Sequence, residues 1–546
     1  MNQERKAEII LTSRAVFTGL DEEPIPRAIA IVGQKIAAVG TEQEIESWVG
    51  PDTKWYRFED QLIVPGFHDF HMHLMLGRFI ESSLNLSKAR SEEEAVEMVR
   101  AYAESRPDVS WIIGIGWDSG YWPDQQLPHR KSLDQVLPDR PVLLLHAETH
   151  YAWANSKALA LGGINRETEE PAYGGIGKDE DGEPNGILYE WAISMLTEQA
   201  WDLPRVERIR LLRGFLQQAV RYGVTSVNDL HSNGSRTLNG HQNLALFKEF
   251  EVAGELNVRI HFATALQEDL GEALALRETY STGKVSFSGL KQFLDGAITS
   301  MTAYMVEPYC EKGKDRGSTP FPPDTIKKWV AAADREGFQV RFHAIGDAAV
   351  RLALDAFEHA ANENGPRDSR HCVEHVEVVH PDDIHRFQQL GVIASIQPEH
   401  IVTNERSIFS ALLGEERLAL YSPIGTLRKS GGVVAFGTDY PVVSLNPLLG
   451  IYTAMTRVGS DGLPWNEQEC LSLAEALRAY TSAPAYGSFR ERELGTIEQG
   501  KLADLVVLDR NLFDIPVAEI PRANVLLTML DGQVVFEGSQ EEEEVR

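Results

Sequence analysis

The sequence has little cysteine, and its few cysteines form no recognisable site. Cys310, Cys372 and Cys470 lie far apart and include no CxxC pair, which argues against a disulfide framework and against a zinc site built from thiolates. So low a cysteine content is typical of proteins in a reducing compartment. We therefore expect a cytoplasmic protein whose chemistry uses other side chains.

Long apolar runs and an excess of basic residues are also missing. No uninterrupted apolar stretch approaches the ~18 residues of a membrane span, and the N-terminal MNQERKAEII lacks the apolar centre of a signal peptide. The 52 lysines and arginines are outnumbered by 81 aspartates and glutamates, which gives a formal net charge of −29. Such a field repels nucleic acid and anionic membranes, so we expect neither as a partner. No GxGxxG motif follows a strand, which argues against dinucleotide binding.

The chain does have the length and apolar content for more than one domain. It has 546 residues, of which 43% are hydrophobic, and this favours one large domain with smaller ones. Short strands bounded by turn residues occur at both ends, including Leu502–Leu508 and a hairpin around Asp531-Gly532. Because each end alone would leave an apolar face exposed, we predict that residues 1–61 and 490–546 together form one small β-sandwich domain.

Between these ends, strands alternate with amphipathic helices. Several strands are apolar on both faces, as in a parallel sheet covered by helices, and most adjacent strands start roughly 30 to 50 residues apart, the size of a βαβ unit. Eight such units predict an α/β fold, a (β/α)8 TIM barrel over residues 62–489. The predicted strands are Leu62–Phe67, Val224–Asn228, Val258–Thr264, Phe287–Phe293, Gln339–Phe342, His371–Glu374, Val392–Ile396 and Val433–Phe436.

The interval between the first two predicted strands is far longer than one βαβ unit requires. Residues 75–222 lie within it and include further strand patterns, Trp111–Ile115 and Val142–Leu145. We predict a large insertion after the first strand, at the end of the barrel where active sites lie. Long ordered loops are usually functional, which favours a substrate lid over structural decoration.

The most informative motif follows the first predicted strand. Residues 64–73 read VPGFHDFHMH, and because side chains alternate along a strand, His71 and His73 point to the same side. Two neutral imidazoles at this spacing are able to bind one metal ion.

Single polar residues end several later strands. His343, His375 and Asp439 each follow an apolar strand. Any one alone is more often a capping or hydrogen-bonded residue. The strand ends of a barrel share one rim, however, and its first and eighth strands are neighbours. We therefore predict that these three residues converge with the two histidines of the HxH motif.

Lys291 lies on the fourth predicted strand. A lysine buried on both faces of a sheet is costly unless it is paired or neutral. A neutral amine captures CO2, and the resulting carbamate would bridge two metal ions. The alternative is an ion pair with Asp295 or Asp439, which the local physics alone favours.

The order HxH, Lys, His, His, Asp along such a barrel resembles the amidohydrolase superfamily. Shorter segments resemble the branch of amidohydrolase family 3 that contains N-substituted formamide deformylases. These segments are Gly116-Trp117-Asp118, Asn155-Ser156-Lys157-Ala158-Leu159, His343-Ala344-Ile345-Gly346-Asp347, Gln397-Pro398-Glu399-His400, Gly437-Thr438-Asp439-Tyr440-Pro441 and residues 495–504, GTIEQGKLAD.

The resemblance implies a metal-dependent hydrolase with two divalent ions, and Zn2+ is the metal we expect. It implies that the more buried ion is bound by His71, His73 and Asp439. It also implies that His343 and His375 bind the second ion, with carboxylated Lys291 as the bridge.

The resemblance also implies a reaction. Hydroxide on the metal attacks an amide, N-substituted formamide or cyclic amide carbon, which breaks a non-peptide carbon–nitrogen bond. Asp439 takes the proton as general base and passes it to the leaving nitrogen. His400, at the end of the seventh strand, is predicted to bind the substrate carbonyl or oxyanion, and His150 and Trp117 are weaker candidates for the substrate pocket. The branch often has Gly-His where this chain has Thr149-His150.

Two alternatives remain open on this scaffold. One is deamination of an aminated ring, which often uses one metal and lacks the bridging lysine. The other is a barrel that has lost catalysis, although all six ligand positions are present here. The expected partner is a small-molecule substrate, with a homo-oligomer as an open possibility.

Overall fold

The computed structural model describes residues 6–107, 109–147, 151–171, 174–230, 242–310 and 313–538. The chain forms two compact units. The first contains Met1–His73, Phe215–Ser232 and Phe247–Arg546, and the second contains Leu74–Gly214 and Asn233–Leu246. Two helices, Arg205–Arg221 and Gln242–Val252, contain residues of both units.

The centre of the first unit is a barrel of parallel strands, which confirms the predicted fold. Each strand pairs with the next in chain order, and a bridge between Met72 and Tyr440 joins the last strand's end to the first. The eight strands are Phe67–Met72, Val224–Leu230, Arg259–Ala265, Val285–Phe293, Val340–Ala344, Cys372–His375, Ile393–Ile396 and Val433–Phe436.

The bounds predicted for the first barrel strand were wrong. Leu62–Pro65 belongs to a different sheet, and the barrel strand begins at Phe67. Gly66 lies between the two strands, where a side chain would collide with Thr225. The Gly66 N–H donates to the carbonyl of Asp504 at 2.9 Å, which fixes the crossover.

A second sheet of the first unit contains strands from both ends of the chain. Leu62–Pro65 pairs in parallel with Ile9–Val16 and antiparallel with Leu505–Leu508. Across the sheet the strands are Gln533–Glu537, Val525–Leu530, Leu505–Leu508, Leu62–Pro65, Ile9–Val16, Ile25–Val32 and Lys35–Gly40, with Lys54–Arg57 paired to Ile9–Val16.

The helices of the first unit bury one apolar face each. In Pro323–Arg335, for example, Ile326, Val330 and Ala333 follow helical spacing and are buried. The other helices are Glu42–Ile45, Gly271–Thr279, Asp347–Asn364, Ile384–Leu390, Arg406–Leu413, Glu415–Leu418, Ile424–Lys429, Pro447–Thr456, Leu473–Ala479 and Ser482–Gly487. Among the helices within the described ranges, none combines the length and apolar character of a membrane span.

The second unit is built on a six-stranded mixed sheet. Its strands, in order across the sheet, are Gly174–Lys178, Pro184–Glu190, Tyr151–Ala154, Val142–His146, Ile112–Trp117 and Leu84–Asn85. Its helices are Leu74–Ser82, Glu92–Ser105, Arg130–Val136, Ser156–Leu161 and Ser194–Ala200. It has its own apolar core, in which Trp117, Trp122 and Trp153 pack together. The lid role of this insertion stays a prediction.

Candidate metal centre

Three of the predicted ligands meet where the first and eighth barrel strands end. Asp439 Oδ1 lies 3.3 Å from His71 Nε2 and 3.1 Å from His73 Nε2. His71 and Asp439 are buried, and the side chain of His73 retains 16% exposure. Tetrahedral zinc ligands about 2.0–2.1 Å from the ion lie roughly 3.3 Å from one another. The spacing of these three donor atoms therefore fits a divalent ion.

The outer nitrogens of the two histidines are already occupied. His71 Nδ1 lies 2.8 Å from Glu374 Oε2, and His73 Nδ1 lies 2.7 Å from the carbonyl oxygen of Leu230. Both partners are acceptors, so Nδ1 donates in each ring, and Nε2 is the atom left to bind a metal ion. This is the tautomer that a metal ligand requires.

Glu374 is itself held by a second charge. It is fully buried on the sixth barrel strand, and its Oε1 accepts a hydrogen bond from Arg341 Nε at 2.6 Å. Burial pushes the pKa of Glu374 up, but the Arg341 guanidinium and the His71 imidazole outweigh it and hold the pKa well below its usual range. Glu374 is therefore a carboxylate that orients His71.

Hydrogen bonds hold the backbone at Asp439 in place. Asp69 accepts hydrogen bonds from Thr438 Oγ1 at 2.5 Å and from the His71 backbone N–H at 3.1 Å. The Asp439 N–H donates to the His71 carbonyl at 2.7 Å, and a side chain at Gly437 would collide with His71. Asp439 itself has φ +55°, an uncommon conformation for a residue with a side chain. These contacts join the ends of the first and eighth strands.

A second set of donor atoms shares Asp439. His375, His400 and Asp439 offer donor atoms that all lie within 4.8 Å of one another. Asp439 Oδ2 lies 3.7 Å from His400 Nε2 and 4.0 Å from His375 Nδ1. Gln397 Oε1 accepts from His375 Nδ1 at 2.9 Å. The carboxylate of Asp439 therefore faces two groups of imidazoles, one through each oxygen.

His343 belongs to neither of these donor sets, and Lys291 is buried on the fourth barrel strand. The ring centroids of His343 and His375 are 4.4 Å apart, and His343 Nε2 lies 3.2 Å from the carbonyl oxygen of Gly296. Burial and the Lys291 charge lower the pKa of His343 to about 3, so its ring is neutral. Burial lowers the pKa of Lys291 to about 8, against the opposing charges of Glu374 and Asp439.

Two of the three residues predicted for the substrate pocket lie within the described part of the chain. His400 lies in the second group of donor atoms, with His375 and Asp439. Trp117 is fully buried in the core of the second unit, where its indole N–H donates to the carbonyl of Leu144 at 2.9 Å, so it has the core role that aromatic residues of an insertion commonly take. His150 lies outside the described residues.

Sequence reasoning missed Glu374 and Asp69. Glu374 directly precedes His375, and Asp69 lies inside the HxH segment. Both could have been noticed in the sequence, because an acidic residue within a predicted buried barrel strand requires a buried partner. Glu374 orients the ring of His71, and Asp69 holds Thr438 and the backbone of His71 in place.

The profile of the amidohydrolase family matches residues 59–536, which spans the barrel and the whole ligand set. The chain belongs to the amidohydrolase family. The family match, together with the donor groups around Asp439, assigns this chain as a metal-dependent hydrolase.

This amidohydrolase is similar to several proteins over nearly its whole length. It is 30% identical to Protein LONG AFTER FAR-RED 3 of Arabidopsis thaliana, with 97% of this chain and 92% of the relative covered. It is 28% identical to the N-substituted formamide deformylase of Arthrobacter pascens, with 94% and 95% covered. A crystal structure of an uncharacterized metal-dependent hydrolase from Pyrococcus furiosus has a TM-score of 0.75 at 25% identity, covering 92% of this amidohydrolase and 99% of that chain.

Proposed function

We propose that this amidohydrolase hydrolyses a non-peptide carbon–nitrogen bond in a small molecule, an N-substituted formamide or a cyclic amide, with divalent metal, preferably Zn2+. The observation that carries the proposal is the carboxylate of Asp439, which faces His71 and His73 through one oxygen and His375 and His400 through the other. The Arthrobacter pascens relative, named for deformylation of N-substituted formamides, supports this substrate class.

The donor set suits zinc, since it consists of imidazoles and a carboxylate. When bound, a divalent ion lowers the pKa of water and polarises a carbonyl oxygen. Two residues of the chain then act on the reacting atoms: Asp439 transfers a proton, and His400 binds the substrate oxygen. Asp439 begins ionised, because the imidazoles of His71 and His73 outweigh its burial and hold its pKa well below the usual range. Its carboxylate is placed to accept the proton of the attacking water and to deliver it to the leaving nitrogen.

His400 is the residue proposed to bind the substrate carbonyl oxygen. Its Nε2 is buried and has no hydrogen-bond partner among the residues that the structure describes. Burial lowers the pKa of His400, but the nearby carboxylates of Glu377 and Asp439 outweigh it and raise the pKa. A donor at this position stabilises negative charge that develops on the oxygen during attack.

Lys291 is proposed to become a carbamate that bridges two ions. It is buried on the fourth barrel strand, and its lowered pKa reflects the cost of charge there. Lys291→Ala is expected to bind about one ion fewer per chain than the wild type, and an added short-chain carboxylate is expected to restore part of the activity. Elemental analysis checks the first result, and intact mass spectrometry detects one added CO2 on the wild type. Lys328→Ala, a change at an exposed lysine, serves as the control. Full metal content in Lys291→Ala would contradict the bridge.

The proposed function is tested by turnover on a defined panel. Zinc-loaded enzyme is assayed with N-formyl, N-acyl and cyclic amides, with release of amine or ring opening as the readout. We expect hydrolysis of at least one N-substituted formamide or cyclic amide, loss of that activity after chelation, and recovery on adding Zn2+. Ammonia release from aminated rings, without amide cleavage, would replace this proposal with deamination.

A further inference from the structure

His400 stands between two carboxylates. Its Nε2 lies 3.7 Å from Asp439 Oδ2, and its Nδ1 lies 3.7 Å from Glu377 Oε1. The side chains of His400 and Glu377 each retain only 13% exposure. Both distances lie in the range of ion pairs and are slightly longer than a hydrogen bond, and contacts of this kind tighten when substrate binds.

Glu377 reaches this position because the chain bends sharply after the sixth barrel strand. His375 has φ +76° and Val376 has φ +52°. A positive φ is strongly disfavoured for a β-branched residue such as valine, and strain of this kind gathers at functional sites. The carbonyl of Glu377 accepts from the Ser422 N–H at 2.6 Å, which holds the segment after the bend.

The backbone next to Glu377 is also held in place. Val378 forms a bridge with Tyr421, and its N–H donates to the carbonyl of Ile345 at 2.9 Å. Burial and the charge of Glu377 raise the pKa of Tyr421, so Tyr421 lies near this carboxylate. A fixed backbone on both sides of the Glu377 peptide limits where its carboxylate lies, as expected of a group that orients another side chain.

We propose that Glu377 is a positioning residue for His400. Its carboxylate holds the Nδ1–H side of the ring, so that Nε2 stays directed towards the reacting carbonyl oxygen. Glu377 does not itself touch substrate or metal. The chemical task of His400 rests on the proposed function, but the pairing of the two residues does not.

A double-mutant cycle tests the pairing. With zinc-loaded enzyme and the best amide of the panel, Glu377→Ala is expected to lower kcat/KM about tenfold, mainly through kcat, with metal content unchanged. Glu377→Gln keeps an oxygen for Nδ1–H and is expected to recover part of the loss. In the His400→Ala background, Glu377→Ala is expected to change kcat/KM by less than about twofold. Glu416→Gln, at an exposed glutamate, is the control.

A second cycle does not depend on hydrolysis. Methylphosphonate, a small tetrahedral anion, is titrated calorimetrically into the zinc-loaded wild type, both single variants and the double variant. Equal weakening in both single variants with no further loss in the double variant supports the pairing, even if no amide is cleaved. Additive losses in both cycles, or a Glu377→Gln variant no better than Glu377→Ala, would show that Glu377 is merely structural and overturn the proposal.

Discussion

Asp439→Asn is expected to lower turnover by at least ~10²-fold while the barrel stays folded and metal stays bound. The amide keeps an oxygen where Asp439 Oδ1 now lies, 3.1 Å from His73 Nε2, so metal binding survives. It removes the basic carboxylate, and no proton can then pass from water to the leaving nitrogen through this residue. The measurement is kcat of the zinc-loaded variant, with metal content and thermal unfolding in parallel.

The control for this variant is Asp382→Asn, because the side chain of Asp382 is 83% exposed. It is expected to behave like the wild type. Near-normal turnover in Asp439→Asn would remove the general base from the proposed mechanism. Loss of metal as well as turnover would mean that the carboxylate charge is needed for binding.

Glu374→Ala is expected to have the largest effect on stability. Glu374 and Arg341 are both completely buried and lie 2.6 Å apart, and Glu374 also orients His71. Removing one partner of a buried ion pair costs about 3–5 kcal/mol, because the other charge is left uncompensated. Loss of the carboxylate behind a metal-binding histidine also weakens metal affinity by about 10- to 100-fold.

A double variant separates these two effects. Glu374→Ala with Arg341→Met no longer has the uncompensated charge, so the free energy of unfolding is expected to recover. Metal affinity is expected to stay low, because His71 still lacks its partner. Urea unfolding of metal-free protein and competitive zinc titration measure the two quantities separately. Recovery of both in the double variant would show that Glu374 acts only on the fold.

Much of the barrel and of the ligand set could be predicted from the sequence. Strand ends in a barrel share one rim, so His375 and Asp439 could be placed near His71 without knowing any distances. The predicted strand Leu62–Phe67 is wrong at Gly66, where the chain passes from one sheet to the other and the N–H donates to the distant carbonyl of Asp504. Local patterning carries no information about such a contact.

The supporting residues were harder to predict for a related reason. Glu374 is recognisable as unusual in its strand, but its pairing with His71 and Arg341 joins strands 303 and 33 residues away. The position of Glu377 depends on positive φ angles at His375 and Val376. No sequence pattern of these residue types indicates such angles. The ligands follow from strand order, whereas the groups that orient them follow from tertiary contacts.

The proposed function depends on His71, His73 and Asp439 binding one metal ion, with His343 and His375 binding a second. Elemental analysis of the purified wild type beside a His71→Ala/His73→Ala variant tests it most directly. The account predicts about two tightly bound divalent ions per wild-type chain and marked loss in the double variant with the barrel still folded. A wild-type chain that holds no more metal than the double variant, even after exposure to Zn2+, would contradict it.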